Sequence, residues 1–277
     1  MADLSDRLRI NTDLARKILV SFIRDEITRA GLSRAVVGLS GGIDSALACM
    51  LAAEALGPQN VLALRLPYKT SSPDSMAHAE LVIDQTGVQS ETVAITDMVD
   101  PILATIPPGE AKRRGNVMAR ARMIVWYDRS VAFNGLVVGT SNKTEILLGY
   151  STLFGDSASA LNPLGDLYKT QVRQLAAAVG VPRLIIDKAP SADLWEGQTD
   201  EGELGFTYAR VDQLLYFLVD QRYNRDEAIA AGFEAPFVDR VLTTVRRNQF
   251  KRMPPIIAKL SNRTVGYDFL YLRDWGS

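Results

Sequence analysis

Apolar residues near the start of the chain first follow helical spacing and then form a short continuous run. The apolar positions within residues 14–27 are typical of an amphipathic helix, for which residues 11–13, Asn-Thr-Asp, offer an N-cap and which Gly31 can end. Residues 35–39 are a continuous apolar run, typical of a strand buried in a parallel sheet. A Ser-Gly-Gly turn comes next, followed by a predicted helix over about 44–56. The order is therefore helix, strand, glycine-rich turn, helix.

The same alternation of strand and helix continues through the first half of the chain. Predicted strands cover residues 61–66, 91–95 and 136–140, and a predicted helix covers about 73–86. A long helical segment precedes the last of these strands. Alternation of this kind predicts an α/β fold, in which a parallel sheet has helices on both faces.

Two polar stretches interrupt the alternation. Residues 150–163 are rich in glycine, serine and small side chains, and residues 188–205 are polar. Both are longer than an ordinary connection of about 4 to 6 residues. Long loops beside a rigid sheet often close over substrates, so we expect both to be mobile without ligand. The helical pattern then returns, which predicts one domain over 1–277, with a nucleotide-binding core at about 34–187 and a helical C-terminal appendage at about 206–277.

Charge and composition exclude several classes of function. The chain has 31 Lys and Arg against 32 Asp and Glu, a net charge of −1, which argues against nucleic-acid and membrane-surface binding. A single cysteine and a single histidine leave no internal disulfide, no Cys/His zinc site and no triad that needs several histidines. Cys49 is predicted to be a buried structural thiol and His78 a surface residue. Neither an apolar leader nor a run of about 20 apolar residues is present, which predicts a cytoplasmic protein without a membrane partner.

The glycine-rich turn after the first predicted strand is the most informative segment. Glycines let backbone N–H groups approach an anion, and the next helix begins with partial positive charge, so the turn suits a polyphosphate. It matches neither the Walker pattern nor the dinucleotide pattern. Asp44 would repel a phosphate unless Mg²⁺ lay between them, and the alternative is a tight turn in which Asp44 caps the helix. The candidate nucleotide-binding residues are Gly38, Leu39, Ser40, Gly41, Gly42, Ile43, Asp44 and Ser45.

Several motifs together resemble one enzyme family. Residues 40–45, Ser-Gly-Gly-Ile-Asp-Ser, are similar to the pyrophosphate loop of the N-type ATP pyrophosphatases, which form adenylates and release pyrophosphate. Residues 115–123, residues 139–145 and a series of short segments within 149–205 resemble the ammonia-dependent NAD synthetases of that superfamily, in the same order. The joint occurrence of these segments is far more specific than any single motif. The resemblance implies the adenine nucleotide alpha hydrolase-like fold.

The resemblance also implies roles for particular side chains. ATP would be bound by the glycine-rich turn with Thr140, Lys169 and Ser191, and Mg²⁺ by Asp44 and Glu145. Glu145 follows a predicted strand end, where ligands bind in open α/β sheets, although an acid in the first turn of a helix is also favoured by the helix dipole. Asp44 and Lys169 would be catalytic, because adenylation depends on positioning and on neutralised charge.

On the nicotinate side of the implied site, this sequence departs from the family pattern. Deamido-NAD would be contacted by Arg120, Lys251 and Arg252, although helical arginines are more often surface residues. Leu153 and Ala160 stand where many family members have a lysine and an acid. The third catalytic candidate is Asp156, which could accept a proton from the attacking ammonia, and Asp193 is the alternative for this role.

The implied reaction is the amidation of deamido-NAD by ammonia, with ATP converted to AMP and pyrophosphate through an acyl-adenylate. The alternatives are an adenylating enzyme of the same superfamily that acts on another carboxylate, and a non-catalytic sensor of adenine nucleotides. The chain has no cysteine placed for a fused amidase, so the resemblance implies free ammonia unless a separate amidase subunit docks. It also implies a homodimer whose interface includes the helix around residues 116–133.

Overall fold

All four strands of the sheet are parallel. The computed structural model describes residues 5–191, 199–253 and 255–269. Within these ranges the strands are β1 (Ala35–Gly38), β2 (Val61–Arg65), β3 (Gln89–Thr92) and β4 (Leu136–Val138), arranged in the order β3-β2-β1-β4. Because β2 and β3 lie on one side of β1 and β4 on the other, the strand order reverses between β1 and β4. This is the position at which open α/β sheets bind ligands.

Helices connect the strands and make up the C-terminal part of the described chain. A π-helical turn, Tyr216–Asp220, continues directly from one of them, and short 3₁₀ turns lie at Ser5–Leu8, Pro58–Asn60 and Gln249–Arg252. The helices are α1 (Thr12–Arg29), α2 (Ile43–Leu56), α3 (Pro73–Thr86), α4 (Thr96–Leu103), α5 (Ala111–Phe133), α6 (Lys143–Leu148), α7 (Lys169–Val179), α8 (Arg183–Ile186), α9 (Asp200–Leu204), α10 (Tyr208–Leu215), α11 (Arg225–Ala230) and α12 (Ala235–Arg247).

Hydrophobic clusters cover the sheet on both faces. Successive side chains of a strand point to opposite faces, and Val36 and Val37 accordingly belong to different clusters. Val37 packs with residues of α1, α2 and α7, whereas Val36 packs with residues of α4 and α5. Helix α2 is buried along most of its surface, which fits its nearly uniform apolar sequence. The predicted α/β class, with helices on both faces of a parallel sheet, is confirmed.

A third cluster joins the C-terminal helices to the sheet-containing part. Side chains of α10 and α12 pack together with Leu148 at the end of α6 and with Tyr168 just before α7. The helices that follow the core therefore contact the two helices that begin beside β4. The division of the chain into a core and an appendage stays a prediction.

Local sequence signals placed most elements correctly. The N-cap of α1 lies within the predicted segment 11–13: it is Asn11, whose side chain accepts a hydrogen bond from the Leu14 N–H. Helix α3 has the predicted bounds. The third strand begins two residues and ends three residues earlier than predicted, because β3 is an edge strand whose mostly exposed side chains give no apolar pattern. The predicted loop over 188–205 contains the short helix α9, although residues 192–198 lie outside the described part.

The prediction for the single cysteine is confirmed, whereas the prediction for the single histidine is wrong. Cys49 is fully buried, and burial raises its pKa to about 12, so the predicted structural thiol is confirmed. The prediction for His78 was wrong, since the residue is only 7% exposed on the inner face of α3. Separately, none of the described helices has the length and apolarity needed to cross a membrane.

Candidate active site

The glycine-rich turn leaves the carboxyl end of β1 and leads into α2. Gly41 has a φ of +77°, and a Cβ atom at this position would lie 2.2 Å from the Ser75 carbonyl oxygen of α3. A residue with a side chain is therefore excluded both by the backbone conformation and by space. Gly42 is the N-cap of α2, so the first N–H groups of that helix point toward the turn.

Two serine hydroxyls hold the turn in shape. Ser45 Oγ donates to the Gly42 carbonyl at 2.9 Å and lies 3.0 Å from Ser40 Oγ. It also accepts the Ser40 N–H at 3.2 Å. Since these bonds fix the turn internally, the turn presents a preformed cradle beside the helix N-terminus. An anion is the ligand that such a cradle favours.

Three predicted site residues meet beside this turn. The ammonium of Lys169 lies 2.6 Å from Asp44 Oδ2 and 3.0 Å from Glu145 Oε1. The Lys169 side chain is only 3% exposed, and its ammonium lies over the Tyr208 ring at 5.0 Å from the ring centroid. The three charged groups come from α2, α6 and α7, which all begin at the carboxyl edge of the sheet or next to it. The resemblance predicted this grouping without showing that the three side chains touch.

Burial and neighbouring charges shift the pKa values of this cluster in opposite directions. Burial raises the pKa of Glu145 to about 7, and Asp44 also raises it, while the Lys169 ammonium lowers it. Burial lowers the pKa of Lys169, but Asp44 and Glu145 raise it more strongly, so the lysine stays charged. The lysine therefore compensates carboxylates that would otherwise be costly to bury.

A buried acid that the sequence analysis missed lies close to the same lysine. Asp200 is 5% exposed and accepts hydrogen bonds from Tyr150 Oη and Tyr208 Oη, both at 3.1 Å. Burial raises the pKa of Asp200 and Lys169 lowers it. When Asp44, Glu145 and Asp200 are all ionised, three negative charges face the single positive charge of Lys169. The local excess of negative charge favours an added cation.

Asn142 is the second residue that the sequence analysis missed, although it lies in the motif at residues 139–145. Its side chain is fully buried, and its Nδ2 donates to Asp44 Oδ1 at 2.9 Å. It also forms a capping box at the start of α6: its Oδ1 accepts the Glu145 N–H at 3.0 Å, and its own N–H donates to Glu145 Oε2 at 3.3 Å. The spacing from Asn142 to Glu145 is the signal that could have identified the cap.

Asp44, Glu145, Lys169 and Asp200 line a cavity of about 590 Å³, a volume within the range of small-molecule sites. Basic side chains that line it include Lys112, Arg122 and Lys188, which suit a polyphosphate. Of the residues that the sequence analysis proposed, the cavity is lined by Gly38, Leu39, Ser40, Gly42, Ile43, Asp44, Ser45, Thr140, Glu145, Asp156, Lys169, Ser191 and Lys251.

Three proposed residues do not line this cavity. Gly41 packs against α3 behind the turn. Arg120 is on the exposed side of α5, where its Nε donates to the Leu153 carbonyl at 3.3 Å. Arg252 donates to the carbonyls of Ile146 and Leu147 at the end of α6, which is a structural contact.

Asp156 and Lys251 also line the cavity. Asp156 Oδ1 accepts the Thr152 N–H at 2.8 Å, and burial raises the pKa of its carboxyl group. Lys251 Nζ donates to the carbonyls of Gly149 and Ser151, both at 2.7 Å. Both side chains thus fix the segment after α6. Asp193, the alternative to Asp156, lies outside the described residues.

The carboxylates suit a magnesium ion that also binds phosphate and water, rather than a metal bound only by protein side chains. Among the described residues no group of three or more His, Cys, Asp or Glu side chains is arranged to hold a metal. Asp44 and Glu145 nevertheless direct one oxygen each to the same ammonium, so the two carboxylates lie close enough together to contact one cation jointly. Mg²⁺ is commonly bound by one or two carboxylates together with phosphate oxygens and water.

Comparison with known proteins agrees with this geometry. Residues 15–255 match the family described as NAD synthase. The NH(3)-dependent NAD(+) synthetases of Trichlorobacter lovleyi and Chlorobaculum tepidum are 60% and 56% identical to the chain, which covers 99% and 97% of their lengths. These alignments span 98% and 97% of the chain itself.

Solved structures include two similar chains of comparable length. The NH3-dependent NAD synthetase from Campylobacter jejuni has a TM-score of 0.77 at 30% identity, and the NMN synthetase from Francisella tularensis has 0.81 at 33%. The matches cover 90% and 91% of this chain and 100% of each of those chains. The sequence match, the fold and the grouping of Asp44, Glu145 and Lys169 beside the glycine-rich turn agree, and this chain belongs to the NAD synthase family.

Proposed function

We propose that this chain catalyses the ATP-dependent amidation of deamido-NAD by ammonia, which yields NAD, AMP and pyrophosphate through an acyl-adenylate. The meeting of Asp44, Glu145 and Lys169 beside the glycine-rich turn carries the proposal. The names of the curated relatives at 60% and 56% identity supply the reaction. A non-catalytic nucleotide sensor would need the turn but not a buried lysine shared by two carboxylates.

In the first step the nicotinate carboxylate attacks the α-phosphorus of ATP and pyrophosphate leaves. The residues of the turn, 38–45, would bind ATP together with Thr140 and Ser191, since all of these except Gly41 line the same cavity. Backbone N–H groups of the turn and the Lys169 ammonium would neutralise the charge that develops on the departing pyrophosphate. In this step the substrate carboxylate is the nucleophile, so the protein has to position and neutralise charge rather than attack.

Asp44 and Glu145 would hold the Mg²⁺ ion. Bound there, the ion would neutralise phosphate charge and orient the polyphosphate. Asp44 and Glu145 would then share their negative charge between the ion and Lys169, and Asp200 would keep the lysine charged. The excess of carboxylate over ammonium in this cluster supports the assignment.

In the second step ammonia attacks the acyl-adenylate and must lose a proton. We assign the proton acceptor to Asp156, whose pKa is raised by burial and which is therefore a stronger base than an exposed aspartate. A cavity of about 10 Å³, lined by Asp156, Thr140 and Trp126, adjoins the carboxylate. That volume is near the size needed by one water molecule, and so by one ammonia. The buried indole N–H of Trp126 has no hydrogen-bond partner among the described residues.

The deamido-NAD site is proposed to lie between two copies of the chain. Arg120 is exposed on α5, outside the cavity of its own chain, so it can contact a substrate only from that surface. The same helix exposes Ile124, Tyr127 and Val131, of which Val131 is 82% exposed. An apolar stripe of this kind is typical of a surface that pairs with another protein. Lys251, and Arg252 through its contacts with α6, would support the substrate from the other side.

Free ammonia is the proposed nitrogen donor, and the cytoplasm is the proposed location. The chain spans 49% of the length of the glutamine-dependent NAD+ synthetase from Acinetobacter baumannii, which it matches with a TM-score of 0.67. That glutamine-dependent relative is a longer chain, so it gives no support for a separate amidase subunit.

The reaction can be tested with purified protein, ATP, Mg²⁺ and deamido-NAD, with either ammonium or glutamine as the nitrogen donor. NAD and AMP should form with ammonium and not with glutamine. Nicotinate mononucleotide is the matched competing substrate, because one structural relative is named an NMN synthetase and because Leu153 and Ala160 replace family contacts. The proposal is refuted if deamido-NAD leads to no release of pyrophosphate, or if only nicotinate mononucleotide is converted.

A further inference from the structure

We infer that Asn142 is a positioning residue that fixes the orientation of both metal-binding carboxylates and thereby sets the affinity of the site for a divalent cation. The inference rests on the proposed function, because it assumes that Asp44 and Glu145 hold the cation.

The carboxylates of Asp44 and Glu145 divide their oxygens between the same two partners. Asp44 Oδ1 accepts from Asn142 Nδ2 at 2.9 Å, and Asp44 Oδ2 accepts from Lys169 Nζ at 2.6 Å. Glu145 Oε2 accepts from the Asn142 N–H at 3.3 Å, and Glu145 Oε1 accepts from Lys169 Nζ at 3.0 Å. Asn142 thus holds one oxygen of each carboxylate, and the other two oxygens meet at the Lys169 ammonium.

The orientation of the Asn142 amide follows from its partners. Its Oδ1 accepts the Glu145 N–H at 3.0 Å, and a backbone N–H can only donate. The Nδ2 group must therefore face Asp44, whose ionised carboxylate can only accept. The residue is fully buried, so these bonds form in a poorly solvated environment, where a hydrogen bond is stronger than in water.

Fixing one oxygen of a carboxylate removes its freedom to rotate about the terminal bond. Residues that orient ligands in this way typically change metal affinity by about 10- to 100-fold when they are replaced. Mg²⁺ demands near-ideal octahedral geometry and therefore depends on oriented ligands. Asn142 connects a residue 98 positions earlier in the chain to the first turn of α6.

Helix capping alone would also make Asn142 important, and Asn224 provides the matched control. Asn224 forms the same capping box on α11: its Oδ1 accepts the Asp226 and Glu227 N–H groups at 2.9 and 3.0 Å, and its N–H donates to Glu227 Oε2 at 2.7 Å. It is exposed and does not line the cavity. A serine at either position keeps an N-cap acceptor, but at position 142 it loses the amide that reaches Asp44.

The test compares Asn142→Ser and Asn224→Ser in the full chain. Mn²⁺ binding is measured by electron paramagnetic resonance in the presence of α,β-methylene-ATP, and thermal unfolding is followed in parallel. We expect the Mn²⁺ dissociation constant to rise about 10- to 100-fold in Asn142→Ser and to stay at the wild-type value in Asn224→Ser. In turnover assays the Mg²⁺ concentration for half-maximal rate should rise by a similar factor, and excess Mg²⁺ should restore much of kcat.

The result that overturns the inference is a folded Asn142→Ser protein whose Mn²⁺ affinity lies within about twofold of wild type. If the serine variant does not fold, Asn142→Thr gives the same comparison with another capping residue. If the wild-type protein binds no Mn²⁺ with the nucleotide, the proposed magnesium site itself fails, and this inference fails with it. Binding by the wild type with no loss in the variants overturns the role of Asn142 alone.

Discussion

Substitution of Gly41 by alanine should disable the glycine-rich turn while leaving the rest of the fold in place. The left-handed backbone conformation costs a residue with a Cβ atom about 1 to 2 kcal/mol. The added Cβ would also lie 2.2 Å from the Ser75 carbonyl oxygen, whereas ordinary contact begins at 3.4 Å, so the turn or α3 must move by about 1 Å. A displacement of that size at a reacting centre costs about 10²-fold in rate.

Gly87 provides the control for backbone strain. It has a φ of +70° at the end of α3, and a Cβ atom there would meet nothing within 4 Å. Gly87→Ala should therefore lose about 1 to 2 kcal/mol of stability through conformation alone and keep its activity. The difference between the two variants isolates the effect of the contact with Ser75.

The assay measures pyrophosphate release at varied ATP concentration, together with thermal unfolding of each variant. For Gly41→Ala, kcat/KM for ATP should fall about 100-fold or more, and for Gly87→Ala it should stay within about twofold of wild type. The reasoning is refuted if Gly41→Ala retains wild-type kcat/KM for ATP, or if Gly87→Ala loses as much as Gly41→Ala.

Four further predictions address other parts of the molecule. Lys169→Met should reduce pyrophosphate release by about 10²-fold or more, measured in single turnover, because the departing charge loses its ammonium; unchanged release would exclude that role. Asp156→Asn should release pyrophosphate normally but form NAD slowly, and equal loss of both would place Asp156 elsewhere. The sole histidine, His78, should titrate by NMR below the ordinary histidine pKa of 6.5, since burial lowers its pKa. The stability that neutral His78 contributes is then present above pH 6.5 and is lost as the pH falls. His78→Gln should abolish that loss. Val131→Glu should dissociate the proposed dimer in analytical ultracentrifugation, and an unchanged mass would place the interface on another surface.

Elements whose signals are local follow from the amino-acid sequence alone. Helix α3 has the predicted bounds, and the structure shows that its limits are local: Ser72 caps it, Pro73 begins it and Gly87 follows its last residue. The motif around Asp44 and the motif around Glu145 likewise indicated a nucleotide site, because each combines a strand end, a turn and a helix N-terminus in consecutive residues.

Burial and contacts between distant segments required the tertiary structure. The burial of His78 has a partial local signal, since Ser75, His78, Ala79 and Val82 share one buried helical face. That this face packs beneath the glycine-rich turn depends on another element, however. Helix α9 is only five residues long, too short to show a periodicity.

The contacts within the candidate site also join distant segments and therefore required the tertiary structure. The resemblance named Asp44, Glu145 and Lys169, but their shared hydrogen bonds, the buried Asp200 and the bond from Asn142 to Asp44 became visible in the folded chain. Hydrogen bonds act over about 3 Å, and the partners lie many tens of residues apart in the chain. Sequence patterns report the periodicity and capping of single elements. Which side chains meet depends on how α2, α6 and α7 are brought to one edge of the sheet.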